Sequence, residues 1–190
     1  METIDAILLA SGFSRRFGAT NKLIWPFRGK PLALYTLELV CSLPFKSVHF
    51  VASNPDVTRL AISFPVRSHY NANPERGQCE SVKLGTLASD ADYYMFFPCD
   101  QPLLDAKTVL SVCGKAAPGK IAFPIFNGNP SAPTLFSKAF REELISLKDG
   151  ENARLIKSRH LDALLPVSVA DGNTLIDIDT CEDLKALANR

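Results

Sequence analysis

From Ser11 to Lys30 the chain carries Arg15, Arg16, Lys22, Arg28 and Lys30 and no carboxylate. This stretch opens with Ala10-Ser11-Gly12, small residues over which a ligand can approach the backbone closely. Gly12 and Gly18 are read as positions free to adopt positive φ. Exposed N–H groups in such a loop make an anion-binding concavity, and the guanidinium and ammonium groups suit phosphate. In a chain of net charge +1 this is a local concentration of positive charge, and polyphosphate is its natural partner. Three familiar alternatives fail on spacing. There is no G-x-x-x-x-G-K-[ST] phosphate loop and no G-x-G-x-x-G, and Gly12-Phe13-Ser14 runs on into Arg15-Arg16 rather than forming a G-x-S-x-G elbow.

The opposite charge sits far away in sequence. Asp100 follows the apolar run Tyr93 to Phe97 on a Pro- and Gln-containing turn, a position suited to holding a divalent cation. Asp105 reads as the N-cap of the next helix, which leaves Asp100 for another role. Near the C-terminus the acids alternate in Ile176-Asp177-Ile178-Asp179. An extended backbone there projects Asp177 and Asp179 to one face and sends the isoleucines into the core. Thr180 and Asp183 read as a variant capping box for a last helix, which makes Glu182 and Asp183 structural. Ser81 reads equally as a ligand donor and as a hydroxyl satisfying a helix start. His49, His69 and His160 are scattered and take no catalytic role, and Cys79 has no neighbouring base to make it a nucleophile.

These groups need a scaffold that gathers them. Short apolar runs at 4–10, 48–51, 93–97 and 121–125 read as buried strands. Between and after them, helical spacing covers Pro31 to Leu43, Cys79 to Leu87, Ala106 to Cys113 and Lys138 to Leu147, with Pro31 as a first helical residue. The alternation predicts one α/β domain over residues 1–190, Rossmann-like, with a mostly parallel central sheet and helices on both faces. Ligands in such sheets collect beyond the C-terminal strand ends, where the loop at 11 and Asp100 both fall.

Composition closes off other classes. At 46% apolar and 22% charged residues the chain is globular rather than disordered, and no run approaches the ~20 apolar residues of a membrane span. Near-neutral charge argues against a nucleic-acid coat. The start lacks the pattern of a secretory signal, and five cysteines without a C-x-x-C pair read as reduced, mostly buried thiols; together these predict a cytoplasmic protein.

Leu8 to Gly18 followed by Lys22-Leu23 resembles the signature L-A-A-G-x-S-x-R-M-G-x-x-K of nucleotidyltransferases of molybdenum cofactor maturation. These are MobA-like NTP transferases, and the molybdopterin cytidylyltransferase type is the nearest in pattern. Asp100-Gln101-Pro102 resembles the family's D-Q-P, the 177–184 segment its D-I-D-T-P-E-D-L with Cys181 for proline, and the 77–85 segment its G-x-S-x-S-L-x-x-G with Cys79 for serine. The matches run from about residue 4 to 184. The resemblance implies the nucleotide-diphospho-sugar transferase fold, and a nucleotide bound by Leu9, Ala10, Ser11, Gly12, Ser14, Arg16, Lys22, Gly77 and Ser81. It implies Arg16, Lys22 and Asp100 as catalytic residues, and Mg²⁺ at Asp100 with Asp177 and Asp179. The implied reaction transfers CMP from CTP to the phosphate of molybdopterin and releases pyrophosphate, with a molybdoenzyme as possible client. CTP is favoured because guanylyl-transferring relatives usually carry glycine where Ser11 sits. Ser131-Ala132 stands where the family has Gly-His, only the Ala-Arg end of a G-D-x-G-A-R stretch remains at Ala153-Arg154, and the glycine-to-lysine spacing is one residue longer. The first change keeps open transfer to a sugar or alcohol phosphate; a non-catalytic cofactor carrier is a separate alternative of a different class.

Overall fold

A computed structural model describes residues 2–14, 17 and 20–188. The first strand, β1 (Ile4–Ala10), is buried on both faces because its side chains divide by parity. Ala6, Leu8 and Ala10 enter one core cluster and Ile7 enters the other. Among the described residues there are ten strands, β1 included, and seven α-helices. The strands are β1, β2 (Pro26–Phe27), β3 (Lys30–Pro31), β4 (Ser47–Ala52), β5 (Arg67–Tyr70), β6 (Tyr93–Pro98), β7 (Ile121–Phe126), β8 (Asn129–Pro130), β9 (Thr134–Ser137) and β10 (Leu164–Ser168). The helices are α1 (Leu32–Cys41), α2 (Pro55–Leu60), α3 (Gln78–Ala88), α4 (Ala106–Cys113), α5 (Arg141–Ile145), α6 (Ala153–Arg159) and α7 (Cys181–Ala188).

The main sheet runs β10-β7-β9-β6-β1-β4-β5, with β8 paired to β7. Pairs β1·β4, β1·β6, β4·β5 and β7·β10 are parallel, and β9 is wedged antiparallel between β6 and β7. Residues of α1, α2 and α4 contribute to one cluster, with Leu37, Val57 and Val109, and those of α3, α5 and α6 to the other, with Val82, Leu144 and Ile156. The expected α/β sheet with helices on both faces is therefore present. α3 lies so close to β1 that a Cβ on Gly85 would stand 2.3 Å from Ile7 Cγ2.

Two boundaries differ from the sequence reading. Pro31 has ψ 137, so it precedes α1 rather than opening it, and it pairs in the β2–β3 hairpin. The segment read as one helix over Lys138 to Leu147 is a 3₁₀ turn, Lys138–Phe140, followed by the short α5. Asp105 caps α4 as expected, its side chain accepting from Thr108 N at 2.7 Å.

A third cluster positions the C-terminal acids. Phe17, Phe27 and Leu32 pack with Ile178 and Leu187, with Trp25 and Ile176 at the margin. It clamps α7 and the segment before it against the chain that follows the first loop. Thr180 and Asp183 exchange hydrogen bonds as the capping-box reading requires, Thr180 N to Asp183 Oδ2 at 2.8 Å and Asp183 N to Thr180 Oγ1 at 3.1 Å. Residues 176–179 pair with no strand, and Ile178 N donates instead to Asp100 O at 2.9 Å.

Candidate active site

Beyond the C-terminal ends of β1 and β6 lie two adjoining cavities, of about 400 and 750 Å³. Leu9, Gln78, Pro98, Asp100 and Asp179 line both, so the carboxylates of Asp100 and Asp179 stand where the two spaces meet.

Lys22 holds that junction. Its Nζ donates to Asp100 Oδ2 at 2.6 Å, to Ile178 O at 2.9 Å and to Asp179 Oδ1 at 3.3 Å. An ammonium has three protons, and each has an acceptor here. The lysine is placed by Asn21, which caps a 3₁₀ turn over Lys22–Ile24 by accepting from Leu23 N at 3.0 Å. Asn21 also donates to Gly12 O at 3.1 Å and accepts from Ser14 Oγ at 3.2 Å, and so closes the first loop. Sequence reasoning passed over Asn21, although an Asn directly before a short helical turn is an N-cap signal.

Leu9, Ser11, Gly12, Ser14, Lys22, Gly77 and Ser81 line the smaller cavity with Phe13, which is exposed. Ala10 does not line it: the side chain is fully buried in the core beneath the loop. Gly12 is not in the left-handed region; Ser14 is, at φ +52. A Cβ on Gly12 would meet nothing within 4 Å, so the glycine leaves open space rather than a special turn. Ser11 spends its hydroxyl on the fold, donating to Val51 O at 3.2 Å. Ser81 Oγ accepts from Asn71 Nδ2 at 3.1 Å, which leaves its own proton available to donate. Gly77 does need glycine, with φ +93 ahead of α3.

The basic run divides. Arg28 donates to Leu187 O at 3.1 Å, and Lys30 pairs with Glu38, so both serve the fold away from the cavities. Arg15, Arg16 and Gly18 lie outside the described residues. Among the described residues of the run, Lys22 is the cation at the site.

Asp177 lines only the larger cavity. Burial first, then the charges of Asp100 and Asp179, push its carboxyl up to about 6, against the opposing effects of Gln101 and Lys22. Gln101 is buried under this floor and donates to Ser131 Oγ at 3.1 Å and to Leu175 O at 3.2 Å. Ser131 therefore replaces the family glycine with a hydrogen-bond partner for Gln101, a coupling that spacing alone does not reveal. Burial holds the Cys99 thiol well above its ordinary range, and Cys79 is buried and donates to Arg76 O; all five cysteines are free.

Among the described residues Asp100 Oδ1 is buried with no hydrogen-bond partner, and carboxylate oxygens are hard ligands for a divalent cation. Among the described residues no three His, Cys, Asp or Glu side chains gather around one point. The residues thus fit a cation held by one or two carboxylates and completed by substrate oxygens, the usual habit of Mg²⁺.

A mostly parallel α/β sheet, a small-residue loop after β1, and a lysine and carboxylates at the strand ends define a protein of the nucleotidyltransferase fold. Residues 6–164 match the MobA-like NTP transferase domain, and the chain belongs to that family. It is 25% identical to the probable molybdenum cofactor guanylyltransferase of Haloferax mediterranei, over 97% of this chain and 92% of the relative. It is 24% identical to the 2-C-methyl-D-erythritol 4-phosphate cytidylyltransferase of Endomicrobium trichonymphae, over 95% of this chain and 84% of the relative. A nucleotidyl transferase from Methanothermobacter thermautotrophicus superposes with a TM-score of 0.88 at 18% identity, covering 100% of this chain and 97% of that one. Among the described residues no helix is long and apolar enough to cross a membrane.

Proposed function

We propose that the protein transfers a nucleoside monophosphate from an NTP to the phosphate of molybdopterin and releases pyrophosphate. The observation that carries this reading is the meeting of two cavities at Asp100 and Asp179, with Lys22 between them. Two substrates in adjoining spaces bring their reacting phosphates to one point. An oxygen of the acceptor phosphate attacks the α-phosphorus in line, the bond from that phosphorus to the bridging oxygen breaks, and the pyrophosphate carries away the electron pair. No protein nucleophile is needed. The chain's task is positioning and neutralising charge on the leaving oxygens.

The smaller cavity, behind the loop at 11–14, takes the nucleotide, and the larger takes the acceptor. Lys22 exchanges a carboxylate for phosphate oxygens of the departing group, a role that Arg16 shares by family resemblance. Asp100 with Asp177 or Asp179 would hold Mg²⁺, which supplies neutralisation of negative charge on the phosphate oxygens when bound. Ser81 donates to the sugar or base.

For the base, Ser11 supports CTP by the family resemblance alone, since guanylyl-transferring relatives usually carry glycine at that position. The name of the Haloferax relative favours the second reading, GTP. The test is pyrophosphate release with each of the four NTPs, Mg²⁺, and either molybdopterin or 2-C-methyl-D-erythritol 4-phosphate. Release with molybdopterin supports the proposal. Release with the erythritol phosphate alone moves the acceptor to an alcohol phosphate, and binding without release turns the protein into a carrier.

A further inference from the structure

The larger cavity has a polarity that phosphate transfer alone does not require. Asp100, Asp177 and Asp179 line it beside the end of β6; Arg154 and Lys157 line it as well, and Lys157 stands over Phe123 of β7, two strands along the sheet. These two are three apart on α6 and share one helix face. Lys157 Nζ lies 4.1 Å from the centre of the Phe123 ring, a buried aromatic. Desolvation first and the neighbouring Arg154 charge second lower its pKa to about 8, and no carboxylate offsets them. The face of the Phe123 ring attracts the ammonium, while the neighbouring Arg154 charge repels it, a repulsion that an anion between the two cations relieves. This wall suits an anion, and by sheet order it lies two strands from the carboxylates that receive the attacking phosphate.

We infer that Lys157, with Arg154, binds a second anionic group of the acceptor, distinct from its attacking phosphate, while Phe123 and Phe96 face the apolar body that joins the two. This rests on the proposed reaction and gives the acceptor an anionic group besides its phosphate, unlike the phosphate ester of an otherwise neutral polyol. Lys157 is a specificity residue and takes no part in the bond changes.

The test compares the parent with Lys157→Met, which keeps the stem packed on Phe123, and with Lys157→Arg. With saturating NTP and molybdopterin as acceptor, Lys157→Met raises the acceptor KM about tenfold or more. The KM for NTP and kcat stay within about twofold, and Lys157→Arg recovers most of the loss. Independently of turnover, acetic anhydride labelling at pH 8, read by peptide mass spectrometry, is several-fold slower at Lys157 when molybdopterin is present. An unchanged acceptor KM, or labelling indifferent to molybdopterin, overturns the inference while leaving the reaction standing. If the parent releases no pyrophosphate with molybdopterin, the reaction is what fails. Labelling then decides the wall by itself: protection of Lys157 by tens-of-millimolar inorganic phosphate supports an anion site, and lack of protection overturns it.

Discussion

Lys22 Nζ stands 2.6 Å from Asp100 Oδ2 across a sequence separation of 78 residues. The same nitrogen reaches Asp179, 157 residues away, at 3.3 Å. One ammonium thus ties the first loop, the end of β6 and the segment before α7 to the seam between two cavities.

Removing that ammonium has two separable effects. Lys22→Ala removes the ammonium that pairs with the Asp100 carboxylate and lowers stability by about 1–3 kcal/mol. It also reduces kcat/KM by about 10²–10³, the usual effect of losing one electrostatic contact to a developing charge. Thermal unfolding and pyrophosphate release measure the two. Lys22→Arg restores much of the stability but not the rate, because a planar guanidinium does not replace a compact point charge. Parental turnover in Lys22→Ala means the lysine is only a strut.

Ser131 is expected to matter through Gln101. In Ser131→Ala one N–H of the buried Gln101 amide loses its acceptor, and stability falls by about 1–3 kcal/mol. Denaturant unfolding checks this. A neutral result means that Gln101 has found another partner.

Stability is expected to depend on pH through the chain Ser89–Asp5–His49–His69, of which the first three are buried and His69 half-buried. His49 Nδ1 lies 3.0 Å from His69 Nε2, and Ser89 Oγ donates to Asp5 Oδ2 at 2.6 Å. Burial first, then His49 and Arg67, hold the His69 imidazole below its ordinary 6.5. The unfolded chain therefore binds a proton that the folded one refuses, and this contribution is complete above pH 6.5 and lost as pH falls. His69→Gln flattens the fall in stability below pH 6.5, by at most the roughly 1.4 kcal/mol per pH unit that one proton allows. Melting temperature against pH for both proteins is the measurement, and parallel curves count against the assignment.

Gly85→Ala is expected to lower stability by about 1–3 kcal/mol, since the new methyl meets the buried Ile7 at 2.3 Å and α3 must move off β1. Because α3 carries Ser81, the KM for NTP rises as well. Steady-state kinetics and unfolding of the same variant test both, and a fully stable variant shows that the helix has room to shift.

The sequence made the buried strands and the site's charged residues legible for different reasons. β1, β4, β6 and β7 are continuous apolar runs because helices cover both their faces. β5 is polar and at an edge, β10 carries Pro166, and β9 has four residues, so none shows a run long enough to read. Asp100, Asp179 and Lys22 were legible because each follows a structural signal: a strand end, an alternation, a glycine loop. The basic run was over-read at Arg28 and Lys30, since charge composition does not distinguish a cleft from a hairpin. Ala10 was over-read because a small residue in the loop motif can equally be core. Asn21, Gln101 and Lys157 were missed, because partners such as Gly12 O, Ser131 and Phe123 are set by tertiary contact, and spacing carries no record of them.

The most direct check follows the two ends of the nucleotide separately. With α-³²P-labelled NTP the label is predicted in the molybdopterin product, with γ-³²P-labelled NTP in pyrophosphate, and Asp100→Asn abolishes both. Label from the γ position on the acceptor, or unchanged transfer by Asp100→Asn, contradicts attack on the α-phosphorus at the seam that Lys22 and Asp100 define.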